Sequence, residues 1–372
     1  MNILVFAPRY AYENNISTSF IHNQLKEFSK EGHSVKVIIP LPLGKKTAKN
    51  HVKVIDGVEI YYLNYISFSN FGENHGINEF SFMVSYVLSK KCKKKFKPDV
   101  IYLQTLSCCT MAANIIKKLH KCKTILTIHG SDLMGFYNKK QYYIIKRRLK
   151  SIDIITCVSH KLGEVIKEIC VDTEPIIIIN GFRKYSNHEY EKKECTIVQV
   201  SNLIPQKSVH TTIYAFSKVL NSYPNANLSI VGEGPEKGKL MELCCSLGIN
   251  DKVKFWGFLD NEKTQQIMAQ SQFFVMPSTN EGFGIVYLEA MNNGCVTIGT
   301  EGEGISFFIK NGVDGFLVPP GDSNQIAKII VNCLDNYDYM NKISNAGKSK
   351  VNQLSWNENA RKYLKIFFEG KL

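Results

Sequence analysis

The 372-residue sequence predicts an α/β protein built from two parallel-sheet domains with helices on both faces of each sheet. Three observations carry this. Short β-rich apolar runs alternate with longer segments of helical period, the alternation stops in a polar stretch, and it then restarts. The length suits two domains of roughly 150 residues each. A composition of 44% hydrophobic and 21% charged residues excludes disorder and low complexity.

In the first half, strands are expected at 2–7 (NILVFA), 34–39 (SVKVII), 58–63, 99–103 (DVIYL), 123–128 (KTILTI), 153–158 (DIITCV) and 175–179, with helices near 17–31, 77–96, 108–120, 137–150 and 159–169. Residues 180–195, NGFRKYSNHEYEKKEC, are polar and without period, and read as the linker between a domain over 1–180 and one over 196–355. The second half predicts strands at 196–200, 227–231, 253–256, 272–276, 295–299 and 315–318. Its helices are expected near 207–221, 235–247, 261–269, 284–293, 304–310 and 322–335. A last helix over 356–372, with Trp356, Tyr363, Leu364, Phe367 and Phe368 on its apolar stripe, extends the second domain or crosses back to the first. Ligands of open α/β sheets bind at the carboxyl ends of the strands, so two such domains facing each other would enclose one cleft.

The charge is unevenly placed. Forty-six Lys+Arg against 33 Asp+Glu give +13. Residues 1–190 hold 28 basic and 15 acidic side chains, whereas 191–372 hold 18 of each, so one half carries the whole excess and should face an anionic partner. Eleven cysteines, an odd number without a CxxC pair, fit a reducing compartment better than a disulfide framework. The start, MNILVFAPRY, enters a strand at once and lacks the pattern of a secretory signal, and no apolar run approaches the ~20 residues that span a bilayer.

The most informative stretch is 273–299, FFVMPSTNEGFGIVYLEAMNNGCVTIG. A strand ends at Met276, a loop carries Glu281, Gly282, Phe283 and Gly284, and a helix starts at Ile285 with Glu289 one turn in. Glycines let backbone N–H groups approach a ligand, the helix N-terminus favours a phosphate, and a carboxylate can accept both hydrogens of a ribose diol. Lys207 opens another helix after a strand, where a cation opposes the dipole unless an anion is held there, which makes it a candidate phosphate ligand. In IVGEGPEKGKL, over 230–240, the third glycine comes one residue too late for a dinucleotide fingerprint, so a tight turn lining the cleft is expected. His129 and Asp132 follow a strand in TILTIHGSDL, where His129 could donate to a sugar hydroxyl or a phosphate. No metal-binding or nucleophile-elbow motif is present, and the site is expected to work without a metal or a resident cofactor.

Together these residues resemble the retaining glycosyltransferases of family 4, which have two Rossmann-like domains facing across a cleft, the GT-B fold. The likeness also draws on FSKEGHSVKVI, PDVIYLQ, SIDIITCVSH and IIINGF in the first half. The family's E-x7-E signature falls on Glu281 and Glu289, which implies that the first approaches the donor sugar and the second holds the ribose. Its diphosphate clamp, V-G-R-L-x-x-x-K-G, maps onto VSNLIPQKS: Lys207 matches, Asn202 stands where Arg is usual, and Ser201 and Ser208 replace glycines. The resemblance implies catalytic roles for Glu281, His129 and Lys207, and donor contacts from Asn202, Lys207, Gly282, Phe283, Gly284, Ile285 and Glu289. The first βα loop lacks the family's Gly-Gly turn, and Asn14 and Asn15 take its place on the acceptor side. The final helix is implied to cross back to the first domain. The donor implied is a nucleotide-sugar, with a UDP-hexose favoured, and the reaction retains the anomeric configuration.

Two lysine-rich stretches lie in the basic half, SKKCKKKFK over 89–97 and NKKQYYIIKRRLK over 138–150. Both suit solvated helix faces with cations near helix C-termini. The second also interleaves aromatic and basic residues, as an interfacial helix does, which would put Lys146, Arg147 and Arg148 on an anionic membrane surface carrying a glycan or polyprenyl-phosphate-linked acceptor. The expected location is cytoplasmic, peripheral on the inner face of the plasma membrane. A nucleotide-sugar epimerase of the same fold, which needs no acceptor, and a non-enzymatic nucleic-acid binder are the competing readings. The second lacks any nucleic-acid-binding motif, and loop carboxylates would repel a phosphate backbone.

Overall fold

A computed structural model describes residues 1–8, 10, 19–43, 52–68, 76–89, 96–130, 133, 139–182 and 190–372. Asn14, Asn15 and Asp132 lie outside the described residues. The chain divides into two compact units, Met1–Gly181 together with Trp356–Leu372, and Phe182–Ser355.

The first unit runs β1 (Asn2–Phe6), α1 (Ser19–Lys30), β2 (Ser34–Pro42), β3 (Val52–Ile55), β4 (Val58–Tyr65), α2 (Gly76–Leu88), β5 (Val100–Leu103), α3 (Thr110–His120), β6 (Lys123–Ile128), α4 (Lys139–Lys150), β7 (Ile154–Cys157), α5 (His160–Ile169) and β8 (Ile176–Ile177). Among the described residues its sheet has the order β3-β4-β2-β1-β5-β6-β7-β8, and every pair is parallel except β3–β4. Strand β3 forms a hairpin with β4, an addition to the expected strands. It turns through Asp56 and Gly57, both at positive φ, the Asp-Gly turn whose backbone matches the twist of a two-residue hairpin. The central strands are apolar throughout because helices cover both faces, as in β5, where all four residues are buried.

The last helix, α12 (Trp356–Glu369), belongs to this first unit. Its Phe367 ring lies 5.4 Å from Phe28 on α1, and its Tyr363 ring 5.3 Å from Tyr102 on β5.

The second unit runs β9 (Thr196–Val200), α6 (Val209–Val219), β10 (Asn227–Val231), α7 (Lys237–Ser246), β11 (Val253–Gly257), α8 (Asn261–Gln270), β12 (Phe273–Val275), α9 (Ile285–Asn292), β13 (Val296–Thr300), β14 (Phe316–Val318), α10 (Ser323–Asp335) and α11 (Tyr337–Val351). Its sheet is wholly parallel with the order β11-β10-β9-β12-β13-β14. That is the doubly wound order in which the chain reverses direction between the first and fourth strands, here β9 and β12, and leaves a crevice at their carboxyl ends. Two helical expectations are corrected. The helix expected over 304–310 is a single 3-10 turn, Gly304–Phe307, and α11 was not anticipated. Asn336 caps α11 by accepting the Tyr339 N–H at 3.0 Å.

Candidate functional site

The switch point of the second sheet is where its polar side chains converge. After β9 the chain makes one 3-10 turn, Pro205–Lys207, before α6. Buried Gln199 on β9 donates from Nε2 to the Lys207 carbonyl at 3.0 Å, which ties the lysine backbone to the strand behind it. The Thr279 N–H donates to the Gln206 carbonyl at 2.8 Å, so the loops after β9 and β12 are joined directly. Across that joint Lys207 Nζ forms an ion pair with Glu281 Oε2.

Glu281 is held from its other side as well. Its N–H donates to the buried carboxylate of Glu303 at 2.8 Å, and its carbonyl accepts from the Gly304 N–H at 3.2 Å. A Cβ on Gly304 would lie 2.0 Å from the Gly282 carbonyl oxygen, so only glycine lets the two loops approach this closely. Tyr287, buried on α9, donates its hydroxyl to the Met276 carbonyl at 2.5 Å and pins the start of the loop.

Glu289 lies behind this loop, half-buried on α9. Burial pushes its carboxyl up to about 7, against a smaller opposing pull from a hydrogen bond with Gln265. Asn293 donates from Nδ2 to Gln265 Oε1 at 2.6 Å, which leaves the Gln265 amide hydrogens for Glu289. The structure therefore brings Lys207, Glu281, Gly282, Gly284, Ile285 and Glu289 to one sheet edge. Asn202 is exposed on the same loop as Lys207. The Phe283 side chain is buried with its ring 6.0 Å from Phe308, which leaves its backbone as the part that can meet a ligand.

The turn over 230–240 has a packing explanation. A Cβ on Gly234 would lie 2.3 Å from the Leu203 carbonyl oxygen, so this glycine lets the loop after β10 pack on the loop that carries Lys207.

In the first unit His129 follows β6, and burial drives its ring pKa down to about 3. The imidazole is neutral and brings no positive charge to a phosphate. Its tautomer follows from a chain of amides. Asn359 on α12 donates from Nδ2 to the Ile179 carbonyl at 2.9 Å, so its Oδ1 faces Gln24 Nε2 at 2.7 Å. Gln24 Oε1 then accepts from Gln104 Nε2 at 2.7 Å and from the Tyr102 hydroxyl at 3.0 Å. Gln104 Oε1, at 3.0 Å from His129 Nε2, has to accept, so the ring carries its proton on Nε2 and its lone pair on Nδ1.

Two family profiles match, one to each half: Glycosyltransferase Family 4 over residues 17–182 and Glycosyl transferases group 1 over residues 183–350. The chain belongs to glycosyltransferase family 4. This family 4 enzyme is similar to N-acetyl-alpha-D-glucosaminyl L-malate synthase of Bacillus anthracis, 27% identical over 70% of this chain and 71% of that protein. It is also similar to alpha-monoglucosyldiacylglycerol synthase of Streptococcus pneumoniae, 22% identical over 80% of this chain and 70% of the relative. Among solved structures, Anabaena HepE in complex with UDP and glucose matches with a TM-score of 0.75 at 16% identity over 99% of both chains, a likeness of fold alone. The fold is that of the GT-B glycosyltransferases.

In this glycosyltransferase the membrane assignment of Arg148 on α4 is corrected, whereas Arg147 stays exposed. Arg148 is 1% exposed, with Nε 3.5 Å from Oε1 of the equally buried Glu79 on α2, and Arg147 Nη2 pairs with the other oxygen of that carboxylate. Arg148 lies three residues after buried Ile145, on the same inward face, so it cannot meet a membrane. Lys146 is half-buried with Nζ 5.7 Å from the Tyr142 ring centroid. Gln199, Gln265, Glu303, Gln104 and Gln24 were not anticipated as site residues. All but Glu303 are uncharged amides, and only Gln199 finds its partner nearby in sequence, eight residues on at Lys207. No helix among the described residues is long and apolar enough to cross a membrane.

Proposed function

We propose that this enzyme is a retaining hexosyltransferase that moves a sugar from a UDP-sugar to a glycan or lipid-linked acceptor in cell-surface polysaccharide or glycolipid synthesis. The observation that carries the reading is the Lys207–Glu281 pair astride the β9/β12 switch point, with Glu289 behind it on α9. Lys207 and the backbone amides at the start of α9 offer positive potential to a diphosphate. Glu289 offers two acceptor oxygens to a ribose diol. His129, neutral and tied through Nε2 to Gln104, brings no positive charge to a phosphate.

In the reaction the bond from the anomeric carbon to the diphosphate oxygen breaks, and an acceptor hydroxyl oxygen bonds to that carbon on the same face. The hydroxyl proton passes to the departing phosphate oxygen. Charge grows on the leaving group, where Lys207 stabilises it. The uridine donor is favoured because HepE was solved with UDP and glucose, and the lipid-linked acceptor because one relative is named for a diacylglycerol product. Activity without a divalent metal and a cytoplasmic, membrane-peripheral location belong to the same proposal.

The test is a binding screen of UDP-, GDP- and ADP-sugars, followed by transfer to lipid-linked acceptors with and without EDTA, with the anomeric configuration read by NMR. Binding of a UDP-hexose and an α-linked product from an α-linked donor are expected. An inverted product, or epimerisation of the donor without an acceptor, would overturn the reading.

A further inference from the structure

The first unit carries an apolar surface beyond the one its core takes up. On α2, Phe82 and Tyr86 turn inward, each with its ring 6.0 Å from Phe6. On the other side Ile77, Phe80, Val84, Val87 and Leu88 fall within an arc of about 100°. Phe80 is 56% exposed and Leu88 74%.

The surface extends beyond the helix. Leu43, just past β2, donates its N–H to the Tyr65 carbonyl at 2.9 Å, and Phe68, just past β4, donates its N–H to Asn78 Oδ1 on α2 at 2.9 Å. Both side chains are exposed, as is Ile66 between them. Leu43, Ile66 and Phe68 therefore sit at the carboxyl ends of β2 and β4, on the ligand-bearing edge of the sheet beside the start of α2, and the helix carries the surface away from that edge as far as Leu88. Isolated exposed apolar residues are ordinary, but a contiguous group marks an interaction site.

The flanking sequence chooses the partner. Residues 44–51, GKKTAKNH, which follow Leu43, hold three lysines and no acidic residue, and residues 89–97, SKKCKKKFK, which follow α2, hold six lysines and no acidic residue. Protein interfaces are depleted in lysine, whereas apolar side chains followed in sequence by lysine runs are what an anionic lipid headgroup layer accepts. We infer that Leu43, Ile66, Phe68, Ile77, Phe80 and Leu88 form a docking surface for an anionic membrane. This deepens the membrane-peripheral part of the proposed function and adds α2 to the contact.

The experiment is co-sedimentation of the full chain with vesicles of phosphatidylcholine containing about 30 mol % phosphatidylglycerol, and with phosphatidylcholine alone. It is run at about 0.1 M and about 1 M salt. The wild type is expected to pellet with the anionic vesicles and to be released in part by salt. The double variant F80E/L88E, which changes two exposed positions, is expected to lose binding at least ~10-fold while its affinity for UDP, measured by calorimetry, stays unchanged. Equal binding by the variant, or absence of wild-type binding to anionic vesicles, overturns the docking surface. So does a wild-type dimer that the variant converts to monomer in sedimentation velocity, which would make the patch a self-association face. Failure of the wild type to bind UDP would instead overturn the UDP-sugar reading and leave the vesicle result standing.

Discussion

Gln104 Oε1 accepts the Nε2 hydrogen of His129 at 3.0 Å, and the direction of that bond is set by a backbone carbonyl, that of Ile179, through three intervening amides. The ring is expected to show an Nε2-protonated neutral tautomer by nitrogen-15 NMR down to about pH 4, because burial lowers its pKa to about 3. A depressed histidine binds fewer protons folded than unfolded, so its contribution to stability is lost as pH falls from 6.5 towards 3. Q104E puts a carboxylate beside the ring and should move its titration upward, which the same spectra would report.

At the switch point, K207A and E289A are each expected to lower transfer at least ~10²-fold, the size of losing one preorganised stabilising contact. Steady-state kinetics with circular dichroism as a folding control would check this. Near-normal turnover in both variants would remove the assignment.

The raised carboxyl of Glu289 gives a pH signature. Only the ionised form accepts both ribose hydrogens, so UDP affinity should increase as pH rises through about 7 and become flat in E289Q. Stability moves the other way: the folded form holds the proton more tightly than the unfolded one, so stability declines as pH rises from 4.5 through about 7. E289Q should gain melting temperature at pH above about 7, and calorimetric titrations and melts across this range would measure both effects.

Gly304 is where a single methyl group would separate the loop carrying Glu281 from its support, since a Cβ there meets the Gly282 carbonyl at 2.0 Å. G304A is expected to weaken UDP binding by at least ~10-fold, as loss of loop placement removes contacts worth about 1–2 kcal/mol. Isothermal titration would read it.

Removing Arg148 leaves the buried Glu79 carboxylate with a weaker partner. R148M alone should cost about 3–5 kcal/mol, whereas the double replacement E79L/R148M should recover most of it, because the desolvated charge is then gone as well. Denaturant unfolding of both variants would distinguish a packing role from a surface one.

Periodicity made the two parallel sheets legible, since buried strands such as ILVF and IYL leave little choice of structure. The loop carrying Glu281 and the position of Lys207 were legible because charge at a helix start needs an explanation. The hairpin strand β3 is signalled only by Asp56-Gly57, and α11 is hard to see because its polar sequence, YDYMNKISNAGKSKV, has few apolar positions. Arg148 looked like surface because charge usually is. Its burial depends on Glu79, 69 residues earlier, a pairing that local pattern cannot supply. The amide relay to His129 was invisible for the same reason.

The return of α12 to the first unit sets the order of synthesis against the order of folding. While the ribosome is still making residues 182–355, the first unit lacks Tyr363 and Phe367, two rings of its own core. The second unit, complete at Ser355, already has both its ends paired through the Phe182–Ser355 bridge. Nascent chains should therefore finish the later half first, and the earlier half closes only when the last helix is released.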